Sequence, residues 1–316
     1  MNDKTFLEMI ESALAEIKYP AVAPHLFAPV SYALESGGKR IRPMLVLECC
    51  AAVGGNPECA INQALAIEMF HNFTLIHDDV MDGARLRRGR LTVYRRWNAN
   101  QAILSGDALL TMATARVVEG AGDRAARVLD LFNRTALEVY EGQQLDIDYE
   151  RYTSVTPERY FKMVRLKTSV LLGAACAMGA IMGGADDKTV DALYAFGENL
   201  GIAFQLRDDW LDVYGDNVFG KTIGNDIVTR KKTWMYIMAH RTAGKALEEA
   251  YTARPRGHMI ARVKSIYTKY GLSRGCLELI DNYCAKAIEA LAKAEISADA
   301  RTVLATLVGN LSHREQ

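Results

Sequence analysis

The chain has 316 residues, half of them hydrophobic, and its 38 basic side chains balance 38 acidic ones. That length buries a large core, and seven prolines with no low-complexity tract or linker favour one domain over 1–316. Zero net charge removes the case for nucleic acid or an anionic membrane as a general partner and leaves the basic groups local roles.

Apolar residues recur at three- and four-residue intervals, which predicts helices over 3–18, 42–53, 59–82, 101–119, 123–147, 157–182, 187–213, 233–250, 258–270, 273–293 and 297–311. No strand-like alternation interrupts them, so the chain reads as all-α. The first segment is acidic and amphipathic, unlike a signal peptide, and the six cysteines (49, 50, 59, 176, 276 and 284) lack metal-ligand spacing. Reduced thiols in a cytoplasm follow.

The third predicted helix ends in Asp78-Asp79-Val80-Met81-Asp82. Side chains four apart share a helix face, so Asp78 and Asp82 project together with Asp79 at their flank. Such like charges repel unless a cation is shared among them. A lone Asp-Asp-x-x-Asp arises often by chance at a solvated helix end. It recurs, however, at Asp208-Asp209-Trp210-Leu211-Asp212, behind another apolar helical segment. Between the two sets runs an uncharged stretch, Thr168 to Ala185, whose four glycines mark it as a core helix with close neighbours rather than a membrane span. After the second set, Tyr214 to Lys232 is the one long connection, with Gly215, Gly220, Gly224 and alternating charges. A mobile cover over a site is the expectation there.

Oxygen-only ligands suit a hard ion such as Mg²⁺, which takes one or two carboxylates and completes its shell with water and phosphate oxygens. Two facing acid sets would cage a polyphosphate held through metal. Cations for the remaining phosphate oxygens stand at Lys39, Arg40 and Arg42, at Arg87 and Arg88, and at Lys167, Lys221, Lys231 and Lys232.

With these residues in view the chain resembles the trans-isoprenyl diphosphate synthase (polyprenyl synthetase) family. The resemblance is carried in order by Gly37-Gly38-Lys39-Arg40-Ile41-Arg42-Pro43, His71, Asp78-Asp79-Val80-Met81-Asp82, Arg87-Arg88-Gly89, Gly142-Gln143, Lys167-Thr168, Phe204-Gln205-Leu206-Arg207-Asp208-Asp209, Gly220-Lys221 and Lys231. It implies the isoprenoid synthase fold, a large antiparallel helical bundle around a central cavity. The implied reaction joins isopentenyl diphosphate to an allylic diphosphate with three Mg²⁺ ions per site. Asp78, Asp82 and Asp208 would ligate metal, with Asp79, Asp209 and Asp212 as water-mediated or supporting partners. Lys39, Arg42, His71 and Arg88 would hold isopentenyl diphosphate, and Arg87, Lys167, Lys221 and Lys231 the allylic one. The Lys167 carbonyl, Thr168 hydroxyl and Gln205 amide oxygen would face the allylic cation, and the released diphosphate would take the final proton. On the residues alone, His71, Thr168 and Gln205 serve equally as packed polar groups.

Phe73, five residues before Asp78, matches the position where short-chain members carry an aromatic. On an ideal helix, Thr74 shares the Asp78 face instead, and Phe70 is a further candidate. Phe73 as core packing fits the sequence as well. A product of fifteen or twenty carbons is expected, with twenty ahead. Arg85, Leu91 and Thr229-Arg230 depart from the family's usual residues and bear on loop contacts, not on metal ligands.

A class I terpene cyclase would share the first acid set but normally reads Asn/Asp, Ser/Thr, Glu at the second. A non-catalytic subunit would lack one acid set or Arg87-Arg88, and both are present. The resemblance further implies a homodimer with apolar surface from Gly106 to Val117, and no stable membrane insertion.

Overall fold

The computed structural model describes residues 3–215 and 223–312. Among them the chain forms fifteen α-helices and one two-stranded antiparallel ladder, β1 (Leu86–Arg87) with β2 (Arg90–Leu91), so the all-α expectation holds. The helices fall into two compact units. One runs up to Arg134 and adds Ala174–Tyr194 and Ala294–Ala300; the other holds Thr135–Gly173, Ala195–Lys293 and the chain from Arg301.

The first unit begins with α1 (Asp3–Ala15), α2 (Pro24–Leu34) and α3 (Ile41–Ala52), followed by α4 (Ile61–Met81), the hairpin, α5 (Val93–Arg96) and α6 (Ala99–Arg116). Helix α4 packs most closely on α6 and α3. The ring of His77 occupies the place where a side chain on Gly106 would stand, which is why α6 carries a glycine there.

Helix α2 is not expected from the sequence, because Pro29 lies in its interior. Proline removes an N–H and leaves the carbonyl four residues back without its helical donor. Here that carbonyl, on His25, accepts from Gln101 Nε2 at 2.7 Å, and the next, on Leu26, accepts from Ser105 Oγ at 2.8 Å. Side chains of α6 supply what the proline withdrew.

Helix α7 (Ala125–Arg151) contributes to both units, as do α9 (Val170–Gly183) and α10 (Asp187–Tyr214). Within the first unit, a side chain on Gly179 would collide with the Val46 carbonyl, and one on Gly183 with Val53. The small residues of this helix therefore admit α3 at close range. The one apolar stretch among the described residues long enough to cross a bilayer is Pro157–Gly183, and 83% of its apolar window is buried inside the protein.

In the second unit α8 (Pro157–Val164) is joined to α9 by a π-turn, Arg165–Ser169. The Val170 N–H donates to the Arg165 carbonyl five residues back, and Ser169 Oγ donates to the Val164 carbonyl at 3.3 Å. After α10 come α11 (Asn225–Thr229), α12 (Trp234–Tyr251), α13 (Arg256–Lys269), α14 (Leu272–Ala292) and α15 (Ala298–Ser312). The connection from 214 to 232 thus contains the short helix α11, which the sequence does not announce. Lys221 and Gly220 lie outside the described residues.

Candidate active site

Asp78, Asp79 and Asp82 stand at the C-terminal end of α4, with Asp82 as its C-cap. Asp208, Asp209 and Asp212 occupy the last two turns of α10. The C-terminal end of a helix carries partial negative charge, and acids there are disfavoured by about 0.3–1 kcal/mol each. Both sets therefore sit where the helix dipole opposes them, as expected of groups placed for an external cation.

Within the first unit, Asp79 is buried and its Oδ1 accepts from both Nε and Nη2 of Arg87 at 2.9 Å. Burial raises the Asp79 pKa, and Arg87 pulls against that shift. Asp78 is half-buried, with Oδ2 3.9 Å from Arg87 Nη2, and Asp82 is exposed. The middle aspartate is thus the most deeply buried of the three, and Asp82 the most open.

The Gly37-Gly38 loop follows from geometry. Gly37 and Gly38 have φ of +71° and +139°, the region where side chains are rare, and a Cβ on Gly38 would press on the Arg88 guanidinium at 2.8 Å. Arg88 donates to the Gly37 carbonyl and lies over this loop. Arg40 turns inward to Glu11, Glu68 and the Leu34 carbonyl, whereas Arg42, on the first turn of α3, donates to His71 Nε2 at 3.2 Å. Lys39 is exposed.

His71 Nε2 accepts that proton, so the ring is neutral. Burial, and then Arg42, Arg88, Arg87 and Arg40, hold its pKa well below 6.5. At acid pH the unfolded chain binds the proton more readily than the folded one, so stability rises with pH in this window. Stability should therefore fall progressively as the pH drops below about 6.5, a loss that His71→Gln should remove. Urea midpoints from pH 5 to pH 7.5 on both proteins measure it.

In the second unit the π-turn presents Lys167 and Thr168, and π-turns recur at functional sites. Two glycines make room for it. A side chain on Gly142 of α7 would run into the Lys167 amide, and one on Gly201 of α10 would stand 2.6 Å from the Ser169 Cα. Lys167 Nζ donates to Asp146 Oδ2 at 2.7 Å. Thr168 Oγ1 donates to Gln205 Oε1 at 3.0 Å, and Gln205 Nε2 donates to Asp209 Oδ1 at 2.9 Å.

Asp209 also accepts from the buried Tyr160 hydroxyl at 2.7 Å and lies 3.8 Å from Lys231 Nζ. Burial opposes the charge on Lys231, but Asp209, Asp226, Asp146 and Asp212 together outweigh it and raise its pKa. Asp212 Oδ2 accepts from the Asp226 N–H at 2.9 Å and so ties α11 to α10. Asp208 is half-buried. Sequence reading names neither Tyr160, Asp146 nor Asp226. Asp146 carried a usable signal, lying four residues after Gly142 and therefore on the same face of α7.

Among the described residues no three His, Cys, Asp or Glu groups stand close enough to enclose an ion. The donor set instead fits a hard cation that takes one or two carboxylates and draws its remaining ligands from water and phosphate.

Phe70, Phe73 and Thr74 lie on α4. Phe73 is 6% exposed, and its ring centroid stands 4.7 Å from His77 and 5.7 Å from Phe70. Thr74 Oγ1 donates back to the His71 carbonyl at 2.8 Å.

The sequence profile described as polyprenyl synthetase matches residues 23–270. A geranylgeranyl diphosphate synthase of Methanosarcina mazei is 40% identical over 234 residues, covering 73% of this chain and 72% of that protein. A short chain isoprenyl diphosphate synthase of Methanothermobacter thermautotrophicus is 35% identical over 317 residues, covering 99% of this chain and 97% of that one. Among solved structures, a crystal structure of a geranylgeranyl pyrophosphate synthase superposes with a TM-score of 0.91 at 38% identity, covering 100% of both chains. Fold, profile and relatives agree, and this chain belongs to the polyprenyl synthetase family.

Proposed function

We infer that this chain is a Mg²⁺-dependent, chain-elongating prenyltransferase that condenses isopentenyl diphosphate with dimethylallyl, geranyl and farnesyl diphosphates. The observation that carries the reading is an Asp-Asp-x-x-Asp set at the C-terminal end of α4, in the same unit as a neutral His71 set among guanidinium groups. That is chemistry for metal and phosphate.

Asp78 and Asp82, with Asp208 and Asp212, would hold Mg²⁺, which when bound neutralises charge on the departing diphosphate. Arg42 and Arg88, with Lys39, hold isopentenyl diphosphate, and His71 stays neutral among them. Lys167 and Lys231, now paired with carboxylates, exchange these for the allylic diphosphate, helped by Arg87 and Lys221. The allylic carbon–oxygen bond breaks, the double bond of isopentenyl diphosphate attacks the cation, and a proton leaves to the released diphosphate. The Lys167 carbonyl and the Thr168 and Gln205 oxygens stabilise the positive carbon through their dipoles.

Twenty carbons is the proposed product length, with Phe73 limiting growth. Phe73→Ala should lengthen the product by at least one five-carbon unit while costing about 3–5 kcal/mol of packing. Chromatography of the dephosphorylated alcohols reads the first, and an unchanged length would leave Phe73 a packing residue.

A cytoplasmic setting fits the six free thiols. A homodimer is proposed through α6. Its large exposed apolar side chains are Ile103 and Leu104, slightly before the stretch from Gly106 onward that the sequence suggests. The reading as a whole is tested by incubating the protein with isopentenyl diphosphate and five-, ten- or fifteen-carbon allylic primers, with and without chelator. Elongated prenyl alcohols that vanish with chelator are expected; a cyclic hydrocarbon would make the protein a cyclase.

A further inference from the structure

The hairpin that follows the first acid set carries two leucines with no work to do inside the protein. Leu86 and Leu91 are directly paired across β1 and β2, so both point to the same face of the ladder, and they are 57% and 42% exposed. Met81, at the end of α4, is 50% exposed as well. The other cross-strand pair, Arg87 with Arg90, faces the opposite way and is engaged there. Arg87 binds Asp79, while Arg90 lies 4.1 Å over the Tyr32 ring and donates to the Glu35 carbonyl. The hairpin therefore turns arginine inward and leucine outward, the reverse of a solvated surface.

The sequence around it is locally basic, between the exposed Asp82 and the exposed Asp107. From Gly83 to Gly106 there are six arginines and no acidic residue, in a chain whose net charge is zero. Arg85 and Arg95 are exposed, and the Arg95 guanidinium lies 4.7 Å over the Tyr94 ring.

We propose that the outward face of the β1–β2 hairpin is a docking surface for a bilayer carrying anionic headgroups, with Leu86 and Leu91 entering the interface and Arg85 and Arg95 meeting the headgroups. Exposed aliphatic side chains with a basic surround are the chemistry of peripheral attachment. A second copy of this chain is disfavoured as the occupant, because a two-fold contact would set arginines against arginines. Nucleic acid would satisfy the charge but offers the leucines no apolar phase. The attachment is reversible and local, involves no spanning segment, and does not depend on the elongation chemistry.

Flotation of the full chain with vesicles tests it. The protein should rise with vesicles of equal parts phosphatidylcholine and phosphatidylglycerol at low salt, stay down with phosphatidylcholine alone, and be released near 1 M salt, where the screening length is only about 3 Å. Arg85→Gln with Arg95→Gln should cut partitioning about 25-fold, roughly fivefold per arginine. Leu86→Ser with Leu91→Ser should cut it at least about tenfold. Unchanged circular dichroism and unchanged chain elongation on soluble substrates would show both variants folded. Failure to float, equal flotation on neutral vesicles, or a leucine variant that floats like the parent would overturn the proposal. Retention on immobilised polyglutamate without flotation would also overturn it and assign the face to an acidic protein.

Discussion

Arg40→Met is expected to lower the unfolding free energy by about 3–5 kcal/mol, the cost of leaving a buried charge without its partner. Arg40 is 3% exposed; its Nε lies 2.8 Å from Glu11 and its Nη1 2.5 Å from Glu68, and its Nη2 donates to the Leu34 carbonyl at 2.6 Å. Glu68 is equally buried and would keep the Asn72 amide, at 3.0 Å, but no counter-charge among the described residues that bond it. Adding Glu68→Gln should recover part of the loss, since an amide needs no counter-charge. Urea unfolding of the single and double variants measures both. A loss below about 1 kcal/mol would mean that water reaches Glu68. Two residues on, Arg42→Met should cost less stability than Arg40→Met, and its main effect should appear in the KM for isopentenyl diphosphate.

Asp78→Asn with Asp82→Asn should lower elongation by about two to three orders of magnitude, because a metal clamp supplies several kcal/mol and each 1.36 kcal/mol is tenfold in rate. The fold should lose less than with the deeply buried middle acids, since Asp82 is exposed and Asp78 half-buried, whereas Asp79 and Asp209 are 4% and 3% exposed. The middle acids should behave differently. Asp79→Asn disturbs the Arg87 pair, and Asp209→Asn disturbs the contact with Tyr160, so each should lose stability as well as activity. Radiolabelled product formation at saturating Mg²⁺, set beside thermal melting, separates the two kinds. Equal melting losses in all three variants would dissolve the distinction.

Most of the helical order is legible in the chain, because long helices such as α7 and α14 bury one face at the 3.6-residue period. Helix α2 is hidden because Pro29 argues against a helix until Gln101, seventy-two residues later, is seen to satisfy the carbonyl it exposes. The π-turn is hidden for a different reason: a continuous apolar run from 157 to 182 looks the same with or without one surplus residue. Within the site, residue types were readable and partners were not. Arg40 and Arg42 look alike in sequence, yet one is locked by Glu11 and Glu68 and the other meets His71. Nothing local distinguishes them, because each fate is decided some thirty positions away.

The bulge between Val164 and Val170 bears on how such chains can change. A regular helix advances by about 100° per residue, so deleting one position there would mend the backbone ladder while rotating α8 against α9 by that angle. Lys167 and Thr168 would then leave Asp146 and Gln205 although no side chain of the site had been altered. A length change of a single residue at this point is therefore more damaging than most substitutions, and evolution is free to vary the letters here more readily than the count.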